Sequence, residues 1–158
     1  MKLNITVEEF KSLNTNDKLK IFESREKRKL SRARGLVYGV GYLDVNFSVS
    51  VRIEGRAYYH PAYSAWQNML KRCYYTKNTV SYTPAVVCDE WLRFSNFLAW
   101  WKNNYVPGLE LDKDQECLMR GLKVSIYSPE TCRYIPKWLN LIFRRKSDGS
   151  LREIRQAA

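Results

Sequence analysis

The chain predicts an α+β fold, with helices packed on small β-hairpins and a strand–turn–strand–helix (ββα) centre near the C-terminus. Three observations predict it. Helix caps and apolar residues at three- and four-residue spacing recur on both sides of the chain's middle. Residues 36–59 alternate with period two instead. The segment LELDKD…YSPETC (109–132) sets short apolar strands around a glycine turn. With 158 residues, 45% hydrophobic and 14% aromatic, the chain is long enough for one domain with a packed core. No apolar run approaches the roughly 18–20 residues a membrane span needs. The N-terminal MKLNITVEEFKSLN has no apolar signal core, so a cytoplasmic protein without a membrane partner is expected.

Taken in order, Thr6 and Glu9 form a capping-box pair that opens a helix to about Leu13. A turn at 14–17 caps a second helix predicted over 18–34, within which EKRKLSRAR (26–34) is densely basic and Gly35 is a natural stop. Phe47, Val49, Val51 and Ile53 alternate, and Glu54-Gly55 marks a tight hairpin turn. Pro61 suits the first turn of a helix running to about Tyr75, with Trp66, Met69, Leu70 and Cys73 on one apolar face. After the strand-like Val86-Val87-Cys88, Asp89 caps a predicted helix over 90–103. Its Trp91, Phe94, Leu98 and Trp101 are core residues by spacing. A strand ends at Asp112, a turn holds Gly121, a second strand covers 123–127, and Ser128-Pro129-Glu130 reads as a capped helix start. A last short helix is predicted over 137–143.

The formal charge of +11 is concentrated at the ends. Residues 1–35 hold ten Lys/Arg against five acids, and residues 133–158 hold seven against two. The economical division is a basic N-terminal helical arm (1–35), a body (36–143) and a basic C-terminal tail (144–158). A near-neutral body between basic ends suits a polyanion, and nucleic acid is the expected one, because Lys/Arg release counterions from phosphates. Candidate phosphate contacts are Arg28, Lys29, Arg32 and Arg34, then Lys71 and Arg72, then Arg144, Arg145 and Lys146.

Four blocks, HPAYSAWQNMLKRCYY, VVCDEWLRFSNFLAWW, LELDKD and YSPETCRYIP, resemble the phage-encoded HNH-like, or His-Me finger, proteins. Many of that family are homing endonucleases, some with an appended AP2-type DNA-binding module. The resemblance covers about 36–143 and implies a ββα centre near the C-terminus. There one divalent ion, usually Mg²⁺, faces a scissile phosphate of double-stranded DNA. A strand histidine acts as base, and an acidic neighbour with a helix Asn or His holds the metal. Carried over, Asp112 matches the acidic ligand and Lys113 stands at the expected histidine. Glu130 and Thr131 stand near the helix Asn.

The candidate catalytic residues are therefore Asp112, Lys113 and His60, the chain's single histidine; Asp112 and Asp114 are the Mg²⁺ candidates. A charged hairpin tip is the competing reading of the two aspartates. Flanking acids would raise the Lys113 pKa, which argues against it as a base. His60, Cys73, Cys88 and Cys132 form an acceptable Zn²⁺ donor set but contain no CxxC knuckle, so core cysteines compete with that reading. The function implied is a phage-type, HNH-like DNA-binding protein in the cytoplasm of an infected bacterial host, with metal-dependent phosphodiester hydrolysis as a candidate activity. The alternatives are an inactive DNA-binding regulator, or a host-directed phage protein that binds a host protein or RNA on the same scaffold.

Overall fold

The computed structural model describes residues 3–27, 35–75 and 85–143. It has the mixed helix-and-sheet composition of an α+β protein. Helix α1 (Val7–Ser12) is held by the full Thr6/Glu9 capping box, and α2 (Thr15–Glu23) by the Asn14 side chain. Strands β1 (Ser50–Ile53) and β2 (Arg56–Tyr59) form an antiparallel ribbon. Its turn residues Glu54 and Gly55 both have positive φ, 47° and 80°, the backbone of a two-residue hairpin loop of the twist-matched type. Val51 and Ile53 point inward onto Val7, Phe10 and Phe22, so α1 and α2 pack beneath the ribbon as a small second core.

The main core forms between α3 (Pro61–Tyr74) and α4 (Phe94–Asn104). Pro61 sits in the first turn of α3, where its missing N–H costs nothing. Trp66, Met69 and Leu70 line the buried face of α3 and meet Phe94, Phe97, Leu98 and Trp101. The Trp66 indole N–H donates to the Trp91 carbonyl at 2.6 Å, which satisfies its one polar atom inside the core. Gly41 lies against this face; a Cβ there would be 2.5 Å from Leu70 Cδ1 and 2.8 Å from the Trp66 ring.

The remaining strands make two more two-stranded sheets. β3 (Ala85–Val87) pairs in parallel with β5 (Ser125–Tyr127), and β4 (Glu110–Asp112) pairs antiparallel with β6 (Arg133–Ile135). Between β4 and β5 lies α5 (Asp114–Met119), and α6 (Lys137–Phe143) follows β6.

Four expectations are corrected. The second helix does not continue to residue 34: it ends at Glu23, after which the Lys27 amide donates to the Asn46 carbonyl and Arg25 accepts from Ser48. The helix expected over 90–103 is broken at Arg93 into a 3-10 turn (Asp89–Leu92) and α4. Tyr42 inserts there, donating its amide to Leu92 and accepting from Phe94. Residues 114–119 are helical rather than a turn, because the Asp112 carboxylate caps them. No helix starts at Ser128. The Thr131 hydroxyl donates back to the Ile126 carbonyl at 2.6 Å and closes a turn that delivers the chain into β6.

The two strands expected to form a ββα centre do not pair with each other. β4 pairs with β6, β5 pairs with β3, and α6 follows β6. Asn140 of α6 donates to Glu110 Oε2 at 2.8 Å and so ties the helix to the first strand.

Candidate active site and nucleic-acid surface

Asp112 ends β4 opposite Arg133 and is only 4% exposed. Its Oδ1 accepts from the Asp114 amide at 3.1 Å and its Oδ2 from the Gln115 amide at 3.0 Å. These are orphan donors of the first turn of α5, so the carboxylate is a helix cap. Burial raises its pKa, against which the two amides pull only partway.

The next residue carries the charge that answers it. The Lys113 ammonium lies 2.8 Å from Asp114 Oδ1 and 4.9 Å from the centre of the Tyr127 ring. Its side chain is 13% exposed. Burial alone would lower the Lys113 pKa, but Tyr127, Asp114 and Asp112 outweigh it and hold the group above the ordinary lysine value. Lys113 is thus a fixed cation and poorly suited to take a proton. The same Asp114 oxygen accepts from Ser125 Oγ at 3.2 Å. The Tyr127 side chain hydrogen-bonds Arg72, so the cluster links α3, β4, α5 and β5.

His60 is far from this chemistry in kind. It is fully buried at the N-terminus of α3, where Nδ1 accepts from the Ala62 amide at 3.2 Å. That places the proton on Nε2, which faces Glu23 Oε1 at 3.4 Å. The Phe22, Phe47, Phe94 and Trp101 rings surround it, with centroids 5.5–6.3 Å away. Burial depresses its pKa; the Glu23 carboxylate opposes that and Lys102 adds to it. His60 joins the two cores and has no hydrogen bond or ion pair with Asp112, Lys113 or Asp114.

The three thiols of the expected zinc set, Cys73, Cys88 and Cys132, are free cysteines. Burial pushes the Cys73 thiol up to about 11 and raises Cys88 and Cys132 as well. Cys88 and Cys73 are half-buried, whereas Cys132 and Cys117 are buried. Among the described residues, no three His, Cys, Asp or Glu side chains group as a metal site. As arranged, each Asp112 oxygen accepts one amide of α5 and an ammonium faces Asp114, so a divalent ion would have to displace Lys113 to use both acids.

Of the expected phosphate contacts, Lys71 is exposed and has no ion pair among the described residues, while Arg72 is engaged with Tyr127. Arg28, Lys29, Arg32, Arg34, Arg144, Arg145 and Lys146 lie outside the described residues. Sequence reading missed Asn140 and Glu110. The signal was present, since Glu110 and Asp112 are two apart on one strand and share a face. Among the described residues no helix is long and apolar enough to cross a membrane. No family model, curated protein or solved structure matches the chain.

Proposed function

We propose that this chain binds double-stranded DNA on an HNH-like scaffold related to the phage homing endonucleases, and that it binds without cutting. The observation that carries the second half is the Lys113–Asp114 contact at 2.8 Å beside the capped Asp112. The acids that a catalytic ion would need instead hold α5 and the start of β5 at Ser125. The chain's single histidine, His60, is enclosed in the core and makes no hydrogen bond or ion pair with them. The first half rests on the net charge of +11 and on exposed cations such as Lys71, which has no ion pair among the described residues.

One observation favours hydrolysis as a second reading. The β4–β6–α6 unit has the strand–strand–helix order of the family and carries an asparagine on its helix, Asn140, hydrogen-bonded to the strand acid Glu110.

Binding of the full chain to a labelled DNA duplex, followed by fluorescence anisotropy across a salt series, tests the DNA reading. A steep linear fall of log affinity with log salt is expected. Absence of salt-sensitive binding would remove it and leave a protein or RNA partner.

A further inference from the structure

We infer that the outward face of the β1–β2 ribbon enters the DNA major groove and reads base edges there, with Arg52 as the reading residue. This rests on the DNA-binding reading above and names the element that would carry its specificity.

The register divides the ribbon's residues cleanly. Val51↔Tyr58 and Ile53↔Arg56 share one face, and Ser50↔Tyr59 and Arg52↔Ala57 share the other. The first face is anchored: Val51 and Ile53 are each 2% exposed, and the Tyr58 ring lies 4.9 Å from that of Phe10. A one-residue slip would expose that apolar set, so the core beneath holds the register. Ser50, Arg52, Ala57 and Tyr59 are all exposed, and among the described residues no third strand joins the ribbon.

The outward side chains suit a groove. Arg52 has no ion pair among the described residues, which leaves its planar fork available for a bidentate contact with a guanine edge. Its cross-strand partner Ala57 adds little bulk beside it and can meet a thymine methyl. Tyr59 sits diagonally from Arg52, and its ring is steadied by stacking on Tyr63 at 6.3 Å and 27°. Arg56 lies on the Ile53 side of the ribbon but is exposed beside the tip and has no ion pair among the described residues, so it can meet a phosphate at the groove's edge. Two strands about 4.8 Å apart, with side chains, fit a groove about 12 Å wide, whereas the A-form RNA major groove is too narrow. The one carboxylate on the ribbon is Glu54, at the tip, where it opposes phosphate.

The test selects preferred sites from duplexes with a randomised centre, using the full chain. Affinities for selected and random duplexes are then compared for wild type, Arg52→Ala, Arg56→Ala and Glu54→Gln. All three positions are exposed, and thermal melts verify folding. Arg52→Ala should cut the selected-to-random ratio on the order of ten- to hundred-fold and lose one base from the selected site. Arg56→Ala should lower the salt slope by about 0.9 without changing preference, and Glu54→Gln should tighten binding to all duplexes. Preferred sites kept intact by folded Arg52→Ala overturn the inference while DNA binding stands. So does wild-type binding with no base preference, or equal competition by an RNA duplex of the same sequence. No binding of wild type to any DNA duplex overturns both this inference and the reading it rests on.

Discussion

The Lys113 ammonium sits 2.8 Å from the carboxylate of Asp114, one of the two acids that the sequence offered as Mg²⁺ ligands. The pair is nearly enclosed, with side chains 13% and 16% exposed, so solvent screens it poorly. Replacing Lys113 with Met should therefore leave Asp114 with only Ser125 and cost about 1–3 kcal/mol, between the ranges for exposed and buried pairs. Urea unfolding of the two proteins checks this. A loss below a few tenths of a kcal/mol would mean that the pair does not form.

Asp112 should behave as a cap. Asp112→Ala is expected to cost about 0.5–2 kcal/mol, and Asp112→Asn to recover much of that, because an amide oxygen still accepts from the first turn of α5. A residue needed for its charge as a metal ligand would show no such recovery.

His60 makes stability depend on pH with a definite sign. Its pKa in the fold lies below the usual value near 6.5, so between the two values the unfolded chain binds the proton and the folded chain does not. Its contribution is fully present above about pH 6.5 and is lost as pH falls through the folded pKa. Asp112, with a raised pKa, acts in the opposite direction. The comparison is therefore wild type against His60→Asn, which retains a cap acceptor. Wild type should lose more stability between pH 7 and pH 5, and parallel curves would contradict the assignment.

Gly41 is required for space. Its φ is not in the left-handed region, but a Cβ would be 2.5 Å from Leu70 and 2.8 Å from the Trp66 ring. Trp66 is fully buried and hydrogen-bonded to Trp91, so it cannot swing aside. Gly41→Ala should destabilise by about 1–3 kcal/mol, measurable in the thermal or urea midpoint.

The thiols should be inert in the native protein. With Cys73 pushed up to about 11 and Cys132 enclosed, alkylation by iodoacetamide near neutral pH should be slow until denaturant is added. A chelator should leave the melting temperature unchanged. A chelator-induced drop would restore the zinc proposal for His60, Cys73, Cys88 and Cys132.

Locally encoded elements were legible in the sequence. Thr6 and Glu9, Glu54-Gly55 and Pro61 each carry their own hydrogen-bonding or φ preference, and the structure uses them as such. The misread positions depend on distant partners. Ser128-Pro129-Glu130 suits a helix start as well as a turn, and the Thr131 bond to Ile126 decides for the turn. Tyr42, some fifty residues upstream of Arg93, splits the helix expected over 90–103. The Asp112↔Arg133 pairing spans a whole inserted helix and strand, which no short-range pattern announces. The hydrogen bonds inside the 112–115 segment were not legible either. Whether a carboxylate faces a metal or caps a helix is set by where the following amides point.

The decisive measurement is the fate of supercoiled plasmid incubated with the purified chain in Mg²⁺ or Mn²⁺, run beside Asp112→Ala and His60→Ala. The expected result is plasmid retarded by the protein at low salt and fully supercoiled once the protein is removed. Metal-dependent nicking by wild type, lost in Asp112→Ala, would contradict it and make the β4–β6–α6 unit a working hydrolytic site.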